Sequence, residues 1–299
     1  CRVGETLKAI SELAGSEVKS QVAMIYDWDS RWAMEDSKGP RNDGLHHQEM
    51  LLKYYRAFRK QGMNVDLIDM DCGIEGYQVL VLPMTYMFKQ GFAEKVRAFV
   101  EQGGVLITTY WSGIADDTDR CYLGGTPHGL MDVLGLRSTE IDGLFDWEEN
   151  QFVPVDGNEL GLFREYTCKY LCDLVRLDGA QALMTYGSDF YQGYPALTVN
   201  RYGKGSAWYV AADAEQVFQE DFIAKLLEHE KICGAVPGEI PEGLEVTTRE
   251  TEDVRYYIYQ NFGTGRVMLP LPEGETETVF GDPKQELEPY GLVVLRQRK

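Results

Sequence analysis

The feature that most constrains the fold is an alternation of short apolar runs with amphipathic segments over the first hundred-odd residues. The apolar runs cover 22–29, 64–70, 77–88 and 105–110. Apolar runs of this kind suit strands of a parallel sheet that is covered on both faces. The order β-α-β-β-α-β predicts an α/β fold with a doubly wound, mostly parallel sheet.

Two segments between these runs have the spacing of amphipathic helices. In residues 46–61, Met50, Leu51, Tyr54 and Phe58 fall on one side, and Gly62 follows the segment. Residues 91–102 have the same character and are followed by two glycines, which favour a helix end. A third helix is predicted over 5–15. Because the chain begins inside this helical pattern, we expect it to be a piece of a longer polypeptide.

The rest of the chain divides into an irregular middle and a β-rich end. Residues 114–160 indicate loops with short elements, whereas 182–187, 195–203 and 206–213 predict strands, the last two in a hairpin. A helix over 214–230 closes this region. After a boundary at 236–243, apolar and polar residues alternate with a period of two, which predicts about five strands. We therefore expect a remnant helix over 1–19, an α/β domain over 20–236 and a small antiparallel β domain over 237–299.

Charge and cysteine content exclude several classes of protein. The formal net charge of −19 disfavours nucleic acid and anionic membranes as partners. The sequence has no apolar run long enough to span a bilayer and no apolar core typical of a signal peptide. Its six cysteines are scattered, and no histidine has ligand spacing with Cys168 and Cys172. We expect a cytoplasmic protein without a metal site or a cofactor.

Ligand sites of open parallel sheets lie at the carboxyl ends of the strands. After the first predicted strand, Trp28 and Trp32 accompany Asp27 and Asp29. Two tryptophans and two carboxylates at this place indicate either a surface that stacks a sugar or a loop that packs against another domain or subunit. We favour the packing interpretation. The acidic groups at 116–119 and 148–149 are interpreted as solvated loops.

The fourth predicted strand ends in Thr109-Tyr110-Trp111-Ser112-Gly113. This turn lies where amidotransferase-like folds carry a nucleophile elbow. The sequence of that elbow is Gly-x-Cys-x-Gly, and in hydrolases it is Gly-x-Ser-x-Gly. Trp111 takes the nucleophile position, and an indole cannot attack a carbonyl. Ser112 is one residue away from the tip. The sequence therefore predicts a degenerate elbow and no catalytic residue in this chain.

Several segments, taken in order, carry a family resemblance. They include VAMIYDWDSRWAMED, YYRAFRKQGMNVDLID, YQVLVLPMTYMF with FVEQGGVLITTYWSGIADD, Tyr186–Ala196 and Asn200–Gly205. In this order they resemble the β-galactosidases of glycoside hydrolase family 42. The resemblance covers roughly residues 15–295.

The resemblance implies a TIM barrel first, then an α/β domain like class I glutamine amidotransferases that builds a homotrimer, then a small all-β domain. Both catalytic glutamates of such retaining enzymes belong to the barrel, so neither corresponds to a position here. The β-galactoside substrate is thus expected to bind to the parent enzyme. The resemblance also favours Trp28, Trp32 and Trp111 as residues near an inter-subunit surface.

Three interpretations remain open at this point. The chain is either the accessory region just described or a stand-alone amidotransferase-like hydrolase with a different site. A third interpretation is a sugar-binding module. A coding sequence upstream of Cys1 with barrel periodicity favours the first, a start codon near Cys1 favours the second, and galactose titration tests the third.

Overall fold

The structure, a computed structural model, describes residues 2–37, 39–41, 45–283 and 286–299. The chain forms two compact units. The large unit contains Val22–Tyr54 and Asp66–His229. The small unit contains the N-terminal segment up to Gln21, Tyr55–Val65 and the chain from Glu230 onward.

Three of the described helices begin within two residues of a predicted helix, and two were not predicted. They are α1 (Arg2–Ala9), α2 (Trp28–Asp36), α3 (His47–Lys60), α4 (Phe92–Glu101), α5 (Met131–Leu134) and α6 (Gln216–Glu230). The predicted helix over 5–15 is wrong at both ends, because α1 ends at Ala9 and a separate 3-10 turn covers Ser11–Leu13. Among the described residues, no helix combines the length and apolar character needed to cross a bilayer.

The strands of the large sheet run through most of the large unit. They are β1 (Val22–Ile25), β2 (Val65–Ile68), β3 (Val79–Leu82), β5 (Val105–Thr109), β7 (Leu136–Gly143), β8 (Asn150–Pro154), β9 (Tyr166–Leu177), β10 (Gln181–Tyr186), β11 (Pro195–Tyr202), β12 (Gly205–Val210) and β13 (Ala212–Ala214). Two short strands, β4 (Met87–Phe88) and β6 (Ala115–Asp116), pair separately. In the described part of the chain the sheet order is β13-β9-β8-β10-β11-β12-β5-β3-β1-β2, and β7 also pairs with β9.

The parallel half of this sheet follows directly from the apolar runs. β1 pairs with β3, β3 with β5 and β5 with β12, all in parallel. Every residue of β1, β3 and β5 is buried, as expected for strands covered on both faces. On α4, Phe92, Val96 and Val100 repeat every four residues and are buried. The predicted α/β class is confirmed.

The sheet continues through an antiparallel half that the sequence analysis described only in part. The hairpin of β11 and β12 and the strand β10 are confirmed. The twelve-residue β9 was not predicted, although it pairs with β7, β8 and β13. Cys168 and Cys172 therefore lie on a strand and not on a helix. The residue midway between them, Tyr170, has a left-handed φ of 65° and interrupts the strand.

The small unit contains a four-stranded antiparallel sheet. Its order is β14 (Leu244–Glu250), β15 (Val254–Asn261), β17 (Leu292–Arg298) and β16 (Glu277–Phe280). The run 265–271 was predicted to be a fifth strand, which is wrong: it forms only an isolated bridge, Val267 with Leu287. Pro270 lacks the N–H that a ladder needs. Val246, Tyr259 and Val293 belong to one buried apolar core.

Candidate functional site

The carboxyl ends of β1, β3 and β5 lie at one edge of the parallel half of the sheet. Beyond β3 and β5 the backbone takes a left-handed conformation at two residues that are not glycine, Met84 (φ 46°) and Trp111 (φ 57°). Such conformations cost free energy and persist only where the surrounding packing holds them. This edge is therefore the first place to examine for a site.

Trp111 has the strained backbone of an elbow but does not present its side chain to solvent. Its side chain is buried, and its ring packs 5.7 Å from that of Tyr86. Gly39 lies against it, since a Cβ at that position would be 2.4 Å from the indole. The indole therefore fills the turn from inside. Its burial argues against the predicted location at a subunit surface, and we assign Trp111 a supporting role.

The other residues of the turn hold the backbone together. The N–H of Met84 donates to Thr109 Oγ1 (2.7 Å), and the N–H of Thr85 donates to Ser112 Oγ (3.1 Å). Gly113 has a φ of 60° and no room for a Cβ beside the His128 backbone. The Ser112 hydroxyl is buried and bonds only to main-chain atoms among the described residues. This arrangement provides no general base for a nucleophile.

Trp28 and Trp32 lie on α2, not on the loop that the sequence suggested. The Asp27 carboxylate accepts from the N–H groups of Asp29 (3.0 Å) and Ser30 (3.1 Å), so it caps the helix. The two tryptophans are one turn apart, their ring centroids are 5.8 Å apart, and their exposed fractions are 53% and 59%. Arg31 lies 5.1 Å above the Trp28 ring. Together Trp28 and Trp32 form an exposed aromatic surface, here called the α2 tryptophan pair.

Lys89 fixes the start of α2. Its ammonium contacts the carboxylates of Asp27 (2.9 Å), Asp71 (3.0 Å) and Asp29 (3.1 Å). Burial lowers the pKa of Lys89, but these three hydrogen bonds outweigh it and hold the pKa above its ordinary value. The lysine thus offsets part of the negative charge of these three carboxylates near the helix N-terminus. In the described part of the chain no cluster of side chains is suited to a metal ion.

A second exposed aromatic group was missed by the sequence analysis. The rings of Phe145 and Trp147 stack with centroids 4.8 Å apart, and their exposed fractions are 60% and 78%. The turn is ordered because the Phe145 N–H donates to Glu148 (3.0 Å) and Arg41 donates to the Leu144 carbonyl. The sequence did carry a signal for this group, because its two aromatic residues lie two positions apart within an acidic loop. Glu148 thus supports the turn.

Asp173 on β9 is a buried carboxylate that no sequence pattern indicated. It is fully buried and accepts a hydrogen bond from the Tyr209 hydroxyl. Burial raises its pKa to about 7, although hydrogen bonds from Tyr209, the Trp111 backbone and Ser138 partly offset that effect. The group therefore titrates near neutrality, unlike an ordinary aspartate. Protonation of Asp173 therefore makes the stability of this edge of the sheet depend on pH.

The substitution Asp173→Asn is expected to flatten the pH dependence of folding stability. The folded state keeps the proton up to a pH of about 7, whereas the unfolded chain releases it near 4. The protonated Asp173 side chain thus makes its full contribution to folding stability below pH 4, and this contribution is lost as the pH rises to about 7. Urea unfolding measures the free energy of unfolding at pH 4.5 and pH 7.5. We expect the decrease between these two pH values to be smaller in D173N than in the wild type by about 2–4 kcal/mol.

The matched control for this prediction is Asp117→Asn, because Asp117 is exposed. This variant should retain the wild-type difference between the two pH values. Equal pH dependence in D173N and the wild type would contradict the assignment of a raised pKa to Asp173.

The structure therefore combines an α/β domain with a small antiparallel β domain, and the turn at Trp111 pairs no nucleophile with a general base among the residues described above. The family model described as "Beta-galactosidase trimerisation domain" matches residues 20–233, and the one described as "Beta-galactosidase C-terminal domain" matches residues 243–297. The chain belongs to the β-galactosidases of glycoside hydrolase family 42.

Three similar proteins are each longer than this chain. A β-galactosidase of Alicyclobacillus acidocaldarius is 41% identical over 99% of this chain, and one of Clostridium perfringens is 38% identical over 99%. The crystal structure of a cold-adapted β-galactosidase from Rahnella sp. R3 is 40% identical over the full chain, with a TM-score of 0.91. This chain spans 44% of the length of each of the three proteins.

Proposed function

We propose that this chain is the assembly and accessory region of a β-galactosidase whose catalytic domain lies in a further part of the same polypeptide. The observation that carries the proposal is the match to the trimerisation and C-terminal domains together, over less than half the length of the relatives. In that enzyme a TIM barrel with two catalytic glutamates hydrolyses a terminal β-galactoside. The degenerate turn at Trp111 agrees with a region that contributes no nucleophile.

The α2 tryptophan pair is the surface we propose for contact with a second copy in a homotrimer. A fully exposed tryptophan presents roughly 250 Å², so exposed fractions of 53% and 59% leave about 280 Å² of aromatic surface in water. Stable interfaces bury about 800 Å² per partner, and tryptophan is enriched among their energetic centres. With a net charge of −19 on each copy, association needs apolar contact to overcome repulsion.

We also propose the domain division and the location of the protein. The division places a remnant helix over 1–19, the α/β domain over 20–236 and the β domain over 237–299. The α/β domain is then a degenerate relative of the class I glutamine amidotransferases, as the left-handed Trp111 at an elbow position supports. Five cysteines among the described residues are free thiols, which supports a reducing compartment such as the cytoplasm.

The test compares two polypeptides. The complete polypeptide encoded by the gene is expected to sediment as a trimer and to hydrolyse an aryl β-galactoside. The 299-residue chain alone is expected to leave that substrate intact, because both proposed catalytic glutamates lie outside it. Cleavage by the purified chain alone, or a complete polypeptide that is inactive on galactosides, would overturn the proposal.

One observation favours a sugar-binding role as a second candidate. The stacked rings of Phe145 and Trp147 are mostly exposed and held by an ordered turn. Titration of the 299-residue chain with galactose, followed by tryptophan fluorescence, separates this role from assembly. A saturable change that is lost in W147A would favour sugar binding, and no change would disfavour it.

A further inference from the structure

Two cysteines of β9 lie on either side of a local interruption of the strand. Cys168 and Cys172 are both fully buried. Tyr170, midway between them, has a left-handed φ of 65°. A regular strand would separate two residues at this spacing by about 13 Å, since each residue adds about 3.3 Å. The interruption shortens that distance.

The pairing of β9 with β13 indicates how far the distance is shortened. Cys172 pairs with Ala212 and Cys168 pairs with Ala214, so four residue steps on β9 face two on β13. The register shift occurs between Ala212 and Asp213. Ala212 and Ala214 are two steps apart on an extended strand, or about 6.5–7 Å. Their cysteine partners are therefore held at about the same separation.

This separation falls at the upper end of the Cα–Cα range of disulfides, which is about 4.4–6.8 Å. The two thiols also interact, since a hydrogen bond involving Cys172, followed by burial, raises the pKa of Cys168. The raised pKa keeps the Cys168 thiol protonated and unreactive at neutral pH. In a reducing compartment the resting state is accordingly the dithiol.

A cleft of about 360 Å³ is lined by Thr167 and Lys169, the sequence neighbours of Cys168, and by Asp213 of β13. β13 is three residues long and stands at the end of the sheet order. Local opening of a terminal strand costs less free energy than global unfolding. Opening of β13 would therefore expose the pair to a small reagent in this cleft.

We propose that Cys168 and Cys172 form a redox site that a small-molecule disulfide of the glutathione type converts into an intramolecular disulfide. One thiolate attacks a sulfur of the reagent, its S–S bond breaks, and one reduced thiol leaves. The second cysteine then attacks the mixed disulfide and a second reduced thiol leaves. The two protein thiols lose two electrons and two protons in total, and the reagent gains both.

The experiment equilibrates the folded chain with glutathione buffers of defined ratio and maps the product by mass spectrometry. Trypsin cuts after Arg164, Lys169 and Arg176, so the two cysteines fall on separate peptides, 165–169 and 170–176. A disulfide joins these peptides. We expect the effective thiol concentration in the folded chain to exceed that of a synthetic 164–176 peptide at least about tenfold, because the fold holds the cysteines at bonding distance.

Equilibrium is approached from both the reduced and the oxidised chain, so that slow access is not mistaken for an unfavourable disulfide. C168S and C172S should each abolish the joined peptides, and the exposed Cys72 should form only mixed disulfides. An effective concentration in the folded chain equal to or below that of the peptide would overturn the proposal. So would joined peptides that persist in either serine variant.

Discussion

Replacement of Trp28 and Trp32 together by alanine is expected to dissociate the proposed trimer into monomers. Truncation of a central aromatic residue of an interface typically costs 2 kcal/mol or more. Two such losses at each contact amount to about 4 kcal/mol, which weakens each contact about 10³-fold. The side chains are more than half exposed, and the α2 cap at Asp27 does not involve them. The fold of the monomer should therefore survive the change.

The measurement is the molar mass of the complete polypeptide over a concentration series, by sedimentation equilibrium. The matched control is Phe163→Ala, since Phe163 is 88% exposed and also aromatic but lies outside the α2 tryptophan pair. This control should keep the wild-type mass at every concentration. If the double variant remains trimeric and the control is unchanged, α2 does not belong to the interface. A trimeric wild type would still support the proposed function in that case.

The parallel half of the sheet could be predicted because each of its strands is indicated by its own local sequence. β1, β3 and β5 are continuous apolar runs, and burial on both faces needs no information beyond the run itself. β9 could not be predicted in this way. Lys169 and Asp173 interrupt its apolar pattern, and its partners β7, β8 and β13 are distant in sequence. Pairing across such distances is a tertiary effect that overrides local preference.

The turn at Trp111 was predictable from the sequence, but the orientation of its side chain was not. The sequence placed Trp111 at the elbow, and the left-handed φ there agrees with that position. Whether the indole points outward depends on Gly39 and Tyr86, which approach it from other parts of the chain. For α2 a local signal did exist, since Asp27 is a good N-cap residue followed by a carboxylate in the first turn. Its place directly after a strand made a loop the simpler interpretation.

A buried ion pair offers the second large effect in the large unit. Lys53 on α3 donates to the Asp213 carboxylate and to the Ala214 carbonyl (2.9 Å). The Asp213 side chain is only 2% exposed, whereas that of Lys53 is 20% exposed. Burial raises the pKa of Asp213, and the lysine counteracts that rise. The carboxylate thus relies on Lys53 for its charged form.

Lys53→Met is expected to destabilise the folded chain by about 3–5 kcal/mol at pH 8, because it leaves an unpaired charge in the interior. In this variant the pKa of Asp213 rises further above its unfolded value. The folded state then favours the protonated carboxyl, so the loss is small near pH 4 and grows as the pH increases. Urea unfolding of the wild type and K53M at pH 5 and pH 8 measures both the size and the sign of this dependence.

The double variant K53M/D213N removes the charge together with its partner, and it should recover most of the stability that K53M loses at pH 8. Lys225→Met provides the matched control, since its ion pair with Glu228 is exposed (45% and 72%) and its loss should leave stability nearly unchanged. If K53M and K225M were equally stable at pH 8, Asp213 would have to be solvated in the folded chain. The cleft that Lys53 and Asp213 line would then be filled with water and open enough to hydrate a carboxylate.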